Sequence, residues 1–153
     1  MGKYPVISIS LKGINAAAYE DAFDFAVHIM QRTAEEFQFL SDSEYLSEHD
    51  KSVYRELLDS NMSETVFCGG LKILSKLLEK HYRLKVILLI DEYDVPLAKA
   101  FENGYYEQMI FLIRNLLEQA LKTNNSLKFA VMTGCMRIQM NVMMNILVLR
   151  IRK

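Results

Sequence analysis

The sequence has few cysteines, no tryptophan and no excess of charge of either sign. Its two cysteines, Cys68 and Cys135, are far apart and show no CxxC spacing, so we expect a reducing compartment and no disulfide framework. The 18 basic and 19 acidic residues leave a formal net charge of -1, which gives no bulk attraction to nucleic acid or to an anionic membrane. The three histidines are scattered, which makes a zinc site unexpected.

Long apolar runs are also absent. Runs such as Val86–Ile90 are far too short to span a bilayer. The first residues, MGKYPVISIS, alternate like a strand and do not follow the basic, apolar and small-residue pattern of a signal peptide. We therefore expect a cytoplasmic protein. Half of the chain is hydrophobic (51%), which is enough for one core, so we expect a single domain over 1–153.

Apolar periodicity predicts an α/β fold with a parallel sheet between layers of helices. Two of the predicted strands are apolar at successive positions, as strands buried on both faces are. Gly69 and Gly70 fall inside a predicted helix, where a bend or fraying is expected. Ser47 and Ser63 are candidate N-caps. The predicted strands are 4–10, 85–91 and 127–133, and the predicted helices are about 17–40, 48–59, 64–82 and 105–122, with a further helix start at Pro96.

Three carboxylates follow the most hydrophobic strand, in the stretch KVILLIDEYDVPL. Ligands of open parallel sheets bind beyond the carboxyl ends of the strands, which is where Asp91, Glu92 and Asp94 would lie. Asp91 could hold Mg²⁺ directly or through water, and Glu92 could orient and deprotonate a water molecule. The alternative is that the acids only mark where the chain leaves the core. Aliphatic residues followed directly by Asp-Glu form the more specific Walker B pattern.

The third predicted strand adds polar groups at the same edge of the sheet. Thr133 ends the strand LKFAVMT, and its hydroxyl could contact an attacking water or a terminal phosphate. Arg137 follows four residues later and could reach a phosphate. Each residue also has a plain structural interpretation, as a polar strand end and a solvated arginine.

These stretches resemble the AAA-ATPase-like family, which is found mainly in bacteria and whose members often carry a downstream nuclease-like domain. The resemblance covers about residues 3–138 and is most specific in IDEYDVPL, GYYEQ and FAVMTGCMRI, which occur in the family's order. It implies a three-layer, partial P-loop NTPase core that uses ATP and Mg²⁺. By this resemblance Asp91 is the residue associated with Mg²⁺, Glu92 is the catalytic glutamate and Thr133 is the sensor. The segments 4–10, 85–91 and 127–133 would be the second, third and fourth strands of that core.

The phosphate-binding loop of such ATPases is missing from the sequence. None of the six glycines begins a G-x-x-x-x-G-K-[ST] motif, and Gly69-Gly70 lies in a helical pattern instead of following a strand. We expect that the chain starts after this loop, and that it binds ATP weakly or not at all by itself. The family's nucleotide would then be a ligand of full-length relatives.

The segment 139–153 departs from the family pattern. It is rich in methionine and branched aliphatic residues, and we expect it to pack on the core as a strand or helix, although a membrane-surface helix is conceivable. Without the family's first strand, 127–133 would present an apolar edge. That edge could bind the segment 139–153, a second copy of the chain or a partner protein.

Two other functions are compatible with the sequence. The chain could be a non-catalytic interaction module or a truncated remnant of an ATPase. It could also be a metal-dependent nuclease that uses Asp91, Glu92 and Asp94, although Ser126 stands where the restriction-type pattern needs an acid two residues before Lys128.

Overall fold

A three-stranded parallel sheet organises the protein. The computed structural model describes residues 3–134, and within this range the strands are β1 (Val6–Ser10), β2 (Val86–Asp91) and β3 (Leu127–Met132). Their order is β1-β2-β3, and both pairings are parallel. The helices that connect the strands supply the crossovers that parallel pairing needs. The predicted α/β class and parallel sheet are therefore confirmed, and the predicted strand ends differ from the observed ones by at most two residues.

Within residues 3–134, five α-helices and one short 3-10 helix accompany the sheet. Ser47 accepts a hydrogen bond from the Asp50 amide, and the Asp50 side chain accepts one from the Ser47 amide, so a complete capping box starts the second helix. The Ser63 hydroxyl accepts from the Val66 amide and caps the third. Both predicted N-caps are confirmed. The helices are α1 (Tyr19–Glu35), α2 (Glu48–Glu56), α3 (Glu64–Tyr82), α4 (Val95–Asn103) and α5 (Tyr106–Leu121), with the 3-10 helix at Gln38–Asp42.

The first helix is shorter than its apolar periodicity predicts. The predicted helix runs to about residue 40, but α1 ends at Glu35 because Phe37 takes a non-helical conformation (φ -118°, ψ 40°). The 3-10 helix that follows still brings Leu40 into the core, where it is fully buried. The apolar spacing therefore reports burial correctly beyond the point where the α-helix stops.

The glycine pair of α3 serves helix packing. α3 is continuous from Glu64 to Tyr82, so the expected fraying is not observed. A Cβ on Gly70 would lie 2.7 Å from Sδ of Met30 in α1, and one on Gly69 would lie 3.3 Å from Oε1 of Gln119 in α5. Glycine is needed at position 70 because α1 approaches the α3 backbone closely there.

The helices cover one face of the sheet. α1 contacts β1, α3 contacts β2 and α5 contacts β3, and alternate side chains such as Ile7, Leu88 and Ile90 are buried against them. The other face carries Leu89 and Val131, which are 37% and 46% exposed. Burial of the strands on both faces is therefore not found within residues 3–134, because the helices in this range lie against one side.

We call the uncovered side the open face of the sheet, formed by Val6, Ser8, Leu89, Phe129 and Val131. Within the described range β3 pairs with β2 alone, so it forms an edge with apolar side chains, as expected. The segment 139–153, which we expected to pack on the core, lies outside the described residues.

No helix between residues 3 and 134 has the length and apolar character needed to cross a membrane.

Candidate functional site

The carboxyl ends of the three strands meet at one edge of the sheet. Asp91 ends β2 and is in register with Ser10 at the end of β1. The carbonyl of Asp91 accepts a hydrogen bond from the Leu11 amide at 3.0 Å. On the other side, the Thr133 amide donates to the Ile90 carbonyl at 2.9 Å. The predicted acid and the predicted threonine therefore lie on adjacent strand ends.

A register irregularity sets which residues meet there. Val86 pairs with Leu127, but Ile87 pairs with Phe129, so β3 advances by one extra residue at its start. The pairing then continues in step to Ile90 and Met132. Since a shift of one residue exchanges the two faces of a strand, this bulge places the residue after Met132 beside Asp91.

The hydroxyl of Thr133 forms hydrogen bonds with both Asp91 and Glu92, which are consecutive residues at the end of β2. It donates a hydrogen bond to Oδ1 of Asp91 and accepts one from the Glu92 amide at 3.2 Å. The Tyr93 amide also donates to the Thr133 carbonyl at 3.2 Å. We call Asp91, Glu92 and Thr133 the strand-end cluster. Asp91 and Thr133 are exposed and Glu92 is partly exposed, so solvent or a ligand can reach all three.

Glu92 has an uncommon backbone conformation. Its φ of 53° lies in the left-handed region, which costs a non-glycine residue about 1–2 kcal/mol. β2 ends at Asp91, so Glu92 is not part of the strand. Its side chain points away from that of Asp91 because of this turn, and not because side chains alternate along a strand. Backbone strain of this kind concentrates at functional sites, although a turn into α4 also requires a change of direction.

Asp94 differs from the residues of the strand-end cluster because its side chain is buried. It is 4% exposed and occupies the N-cap position of α4, next to the buried ring of Tyr93. Burial and then the charge of Asp94 raise the pKa of Tyr93 above its ordinary value. Within residues 3–134 no group of three or more His, Cys, Asp or Glu side chains is arranged to hold a metal ion. The three acids are therefore not gathered into the cluster that the nuclease hypothesis needs.

Gly134 is a site residue that sequence reasoning did not single out. A Cβ at this position would lie 2.6 Å from Cε1 of Tyr93 and 2.9 Å from Oδ1 of Asp94. Only a residue without a side chain lets β3 end this close to the start of α4. The Thr-Gly pair directly after an apolar strand is the sequence signal that could have identified it.

A shallow cavity of about 290 Å³ opens beside Asp91 and Thr133, on the open face of the sheet. Its lining also includes Ser8, Leu89, Ile90 and Val131. Its polar groups are one carboxylate and two hydroxyls, which are oxygen ligands of the kind that Mg²⁺ prefers. Because Mg²⁺ in nucleotide sites is held by one or two carboxylates together with phosphates and water, the single carboxylate of Asp91 fits this ion. Arg137, the predicted phosphate contact, lies outside the described residues.

Comparison with known families identifies the family of this chain. The sequence model of the AAA-ATPase-like family, described as "Predicted AAA-ATPase", matches residues 1–144. The chain belongs to this family. The match confirms the resemblance found in the sequence and extends beyond Ile138, where we expected it to end. Neither the curated proteins nor the solved structures gave a match.

Proposed function

We propose that the strand-end cluster is the Walker B and sensor half of an ATP-hydrolysing site. The observation that carries this proposal is the Thr133 hydroxyl, which bonds to the Asp91 carboxylate and to the Glu92 amide across two parallel strands. A sensor must contact the residues that handle the metal and the nucleophile, and this hydroxyl has both contacts. Family membership over residues 1–144 supports the same assignment.

Each residue has a role that follows from its chemistry. Asp91 would hold Mg²⁺, which neutralises phosphate charge and polarises the phosphoryl oxygens when it is bound. Glu92 would accept a proton from the attacking water or orient it. Thr133 would fix the Asp91 carboxylate and touch the water or the terminal phosphate. Arg137 would contribute positive charge to the phosphates.

The 153 residues would supply only half of a complete site. In P-loop ATPases backbone amides and a lysine of the phosphate loop cradle the phosphates, and this sequence contains no such motif. The cavity at Asp91 is shallow, and the residues between 3 and 134 that line it include no cationic side chain. We therefore expect that ATP binds weakly to this chain alone.

We also place the protein in the cytoplasm, because its two isolated cysteines favour a reducing compartment.

A non-catalytic interaction module is the second candidate, and the open face favours it. Leu89, Phe129 and Val131 are each more than a third exposed on adjacent strands, and contiguous apolar surface of this kind marks interaction sites. Within residues 3–134 one edge of β3 has no strand beside it, and such an edge offers backbone groups to another strand. A second copy of the chain or a partner protein could use this surface.

Calorimetric titration with Mg-ATP tests the ATPase proposal. We expect weak binding in the wild-type chain, and we expect the part of it that requires Mg²⁺ to disappear in Asp91→Asn, because the amide removes the charge that holds Mg²⁺. Asp59→Asn, which changes an exposed carboxylate elsewhere, should bind like the wild type. Micromolar affinity would refute the expectation of a half-site, and equal binding by Asp91→Asn would refute the role of Asp91.

A further inference from the structure

A row of lysines on α3 faces the loop that precedes β3. Lys72, Lys76 and Lys80 are spaced by four residues, so they lie on one side of the helix with successive Cβ atoms about 5–6 Å apart. Together with Thr123 and Ser126 they line a cleft of about 400 Å³. This volume is within the range of about 300–1,000 Å³ that is usual for small-molecule sites.

Two of the charges that line this cleft are already balanced. Both carboxylate oxygens of Asp50 lie 2.9 Å from Nζ of Lys80. The acid in the lining, Glu79, lies 3.4 Å from Nζ of Lys85. These pairs neutralise one lysine and one carboxylate, so neither sets the net charge of the cleft.

The other two lysines give the cleft its positive charge. Nζ of Lys72 donates to Oγ1 of Thr123 at 3.2 Å, which leaves further ammonium protons for a ligand. Lys76 is exposed on the same side of α3. Within residues 3–134 the ion pairs involve neither Lys72 nor Lys76. Two ammonium groups thus line one concave surface, and no carboxylate of the described residues forms an ion pair with them.

The loop that forms the opposite wall is polar and fixed. Asn124 is buried, and its side-chain oxygen accepts from the Ser126 amide at 3.1 Å. Nζ of Lys85 donates to the Asn125 carbonyl. These bonds hold the loop, with the Thr123 hydroxyl and the exposed Asn125 at the cleft. Ammonium groups beside hydroxyl and amide donors are the usual partners of a phosphate group.

We propose that this cleft binds a small molecule that carries a phosphate group. The site is distinct from the strand-end cluster. Ser126 directly precedes β3, and Lys85 directly precedes β2, whereas Asp91 is the last residue of β2 and Thr133 directly follows β3. Six residues at about 3.3 Å each put the two ends of the sheet about 20 Å apart. The proposal therefore does not depend on the ATPase assignment.

Binding of pyrophosphate without a metal ion is the direct test, measured by calorimetry on the full chain. Lys72→Gln/Lys76→Gln should weaken binding by at least about tenfold, because charge-assisted hydrogen bonds to the anion are lost. Arg32→Gln/Arg55→Gln removes the same charge from exposed positions on other helices and should bind like the wild type. Circular dichroism confirms that each variant is folded.

Two further arms separate this site from the ATPase site and from nucleic acid. Asp91→Asn should bind pyrophosphate unchanged, because the cleft does not involve that carboxylate. Lys72→Arg/Lys76→Arg should retain binding, since it keeps both charges. No binding by the wild type, or equal binding by the glutamine variant, would overturn the proposal. A single-stranded oligonucleotide that binds where pyrophosphate does not would also overturn it.

Discussion

Replacing Thr133 with valine removes the hydroxyl of the strand-end cluster and keeps the shape of the side chain. Two hydrogen bonds disappear, the one donated to Asp91 and the one accepted from the Glu92 amide at 3.2 Å. The backbone bonds of residue 133 to Ile90 and Tyr93 do not involve the side chain. The loss is therefore confined to the contacts that define the cluster.

The expected cost follows from the kind of each bond. A neutral hydrogen bond contributes about 0.5–1.5 kcal/mol and one to a charged group about 1.5–3 kcal/mol. Asp91 and Thr133 are exposed, so water replaces part of each bond and the lower ends apply. We expect the free energy of unfolding to fall by about 1–2 kcal/mol, measured by urea unfolding followed by circular dichroism.

Thr65→Val is the matched control for this substitution. Thr65 is exposed near the start of α3. The substitution there also replaces a hydroxyl with a methyl group, but it leaves the strand-end cluster intact. Asp91→Asn and the double variant complete a cycle, which should show coupling between positions 91 and 133. If Thr133→Val costs no more than Thr65→Val, or if the two site changes are simply additive, the reasoning about the cluster is refuted.

Three further changes test other parts of the molecule. Glu92→Gly should leave the free energy of unfolding unchanged or raise it by up to about 1 kcal/mol in urea unfolding, because glycine adopts a φ of 53° without steric cost. Gly70→Ala should lower it by about 1 kcal/mol, since overpacking against Met30 outweighs the gain in helix propensity. Burial favours a higher pKa for Asp50, but Lys80 holds it below its ordinary value of 3.8. The stability that Asp50 contributes should be complete above about pH 4 and should vanish as the pH falls through the lower folded pKa.

Each of these expectations has a matched comparison. Glu92→Val should destabilise, because a β-branched residue is poorly accommodated at positive φ; equal stability of the valine and glycine variants would contradict the assigned backbone. The Cβ of Gly69→Ala meets the end of a flexible glutamine at 3.3 Å and Cδ1 of Ile73 at an ordinary contact distance of 3.7 Å, so this change should cost less than Gly70→Ala. For Asp50, unfolding followed from about pH 6 down through the lowered folded pKa should show a gap in stability between wild type and Asp50→Asn that closes at the acid end. A constant gap would show that the carboxylate charge is not responsible.

The strands and most helices could be predicted because burial imposes a readable period. Ile7 and Ile9 alternate with exposed residues in β1, and Phe67, Leu71 and Leu74 repeat at helical spacing in α3, where all three are fully buried. The ends of the helices could be predicted less well. The end of α1 depends on the conformation of Phe37, which no pattern of apolar residues specifies.

The residues of the candidate site could be chosen from the sequence, but their contacts could not. That Asp91 and Thr133 end adjacent strands follows from parallel pairing. That they bond depends on the bulge between Val86 and Ile87, which a sequence does not reveal. The left-handed turn at Glu92 and the close approach at Gly134 likewise depend on tertiary packing. The open face escaped prediction because an apolar strand looks the same whether one or both faces are covered.

Paramagnetic mapping tests the central claim most directly. Mn²⁺ can replace Mg²⁺ at oxygen ligands, and Mn-ATP added to the isotope-labelled chain broadens the amide signals near its bound position. We predict broadening of Asp91, Glu92, Thr133 and the neighbouring Leu11, and loss of this effect in Asp91→Asn. Unaffected signals at these four residues, or broadening there that persists unchanged in Asp91→Asn, would contradict the assignment.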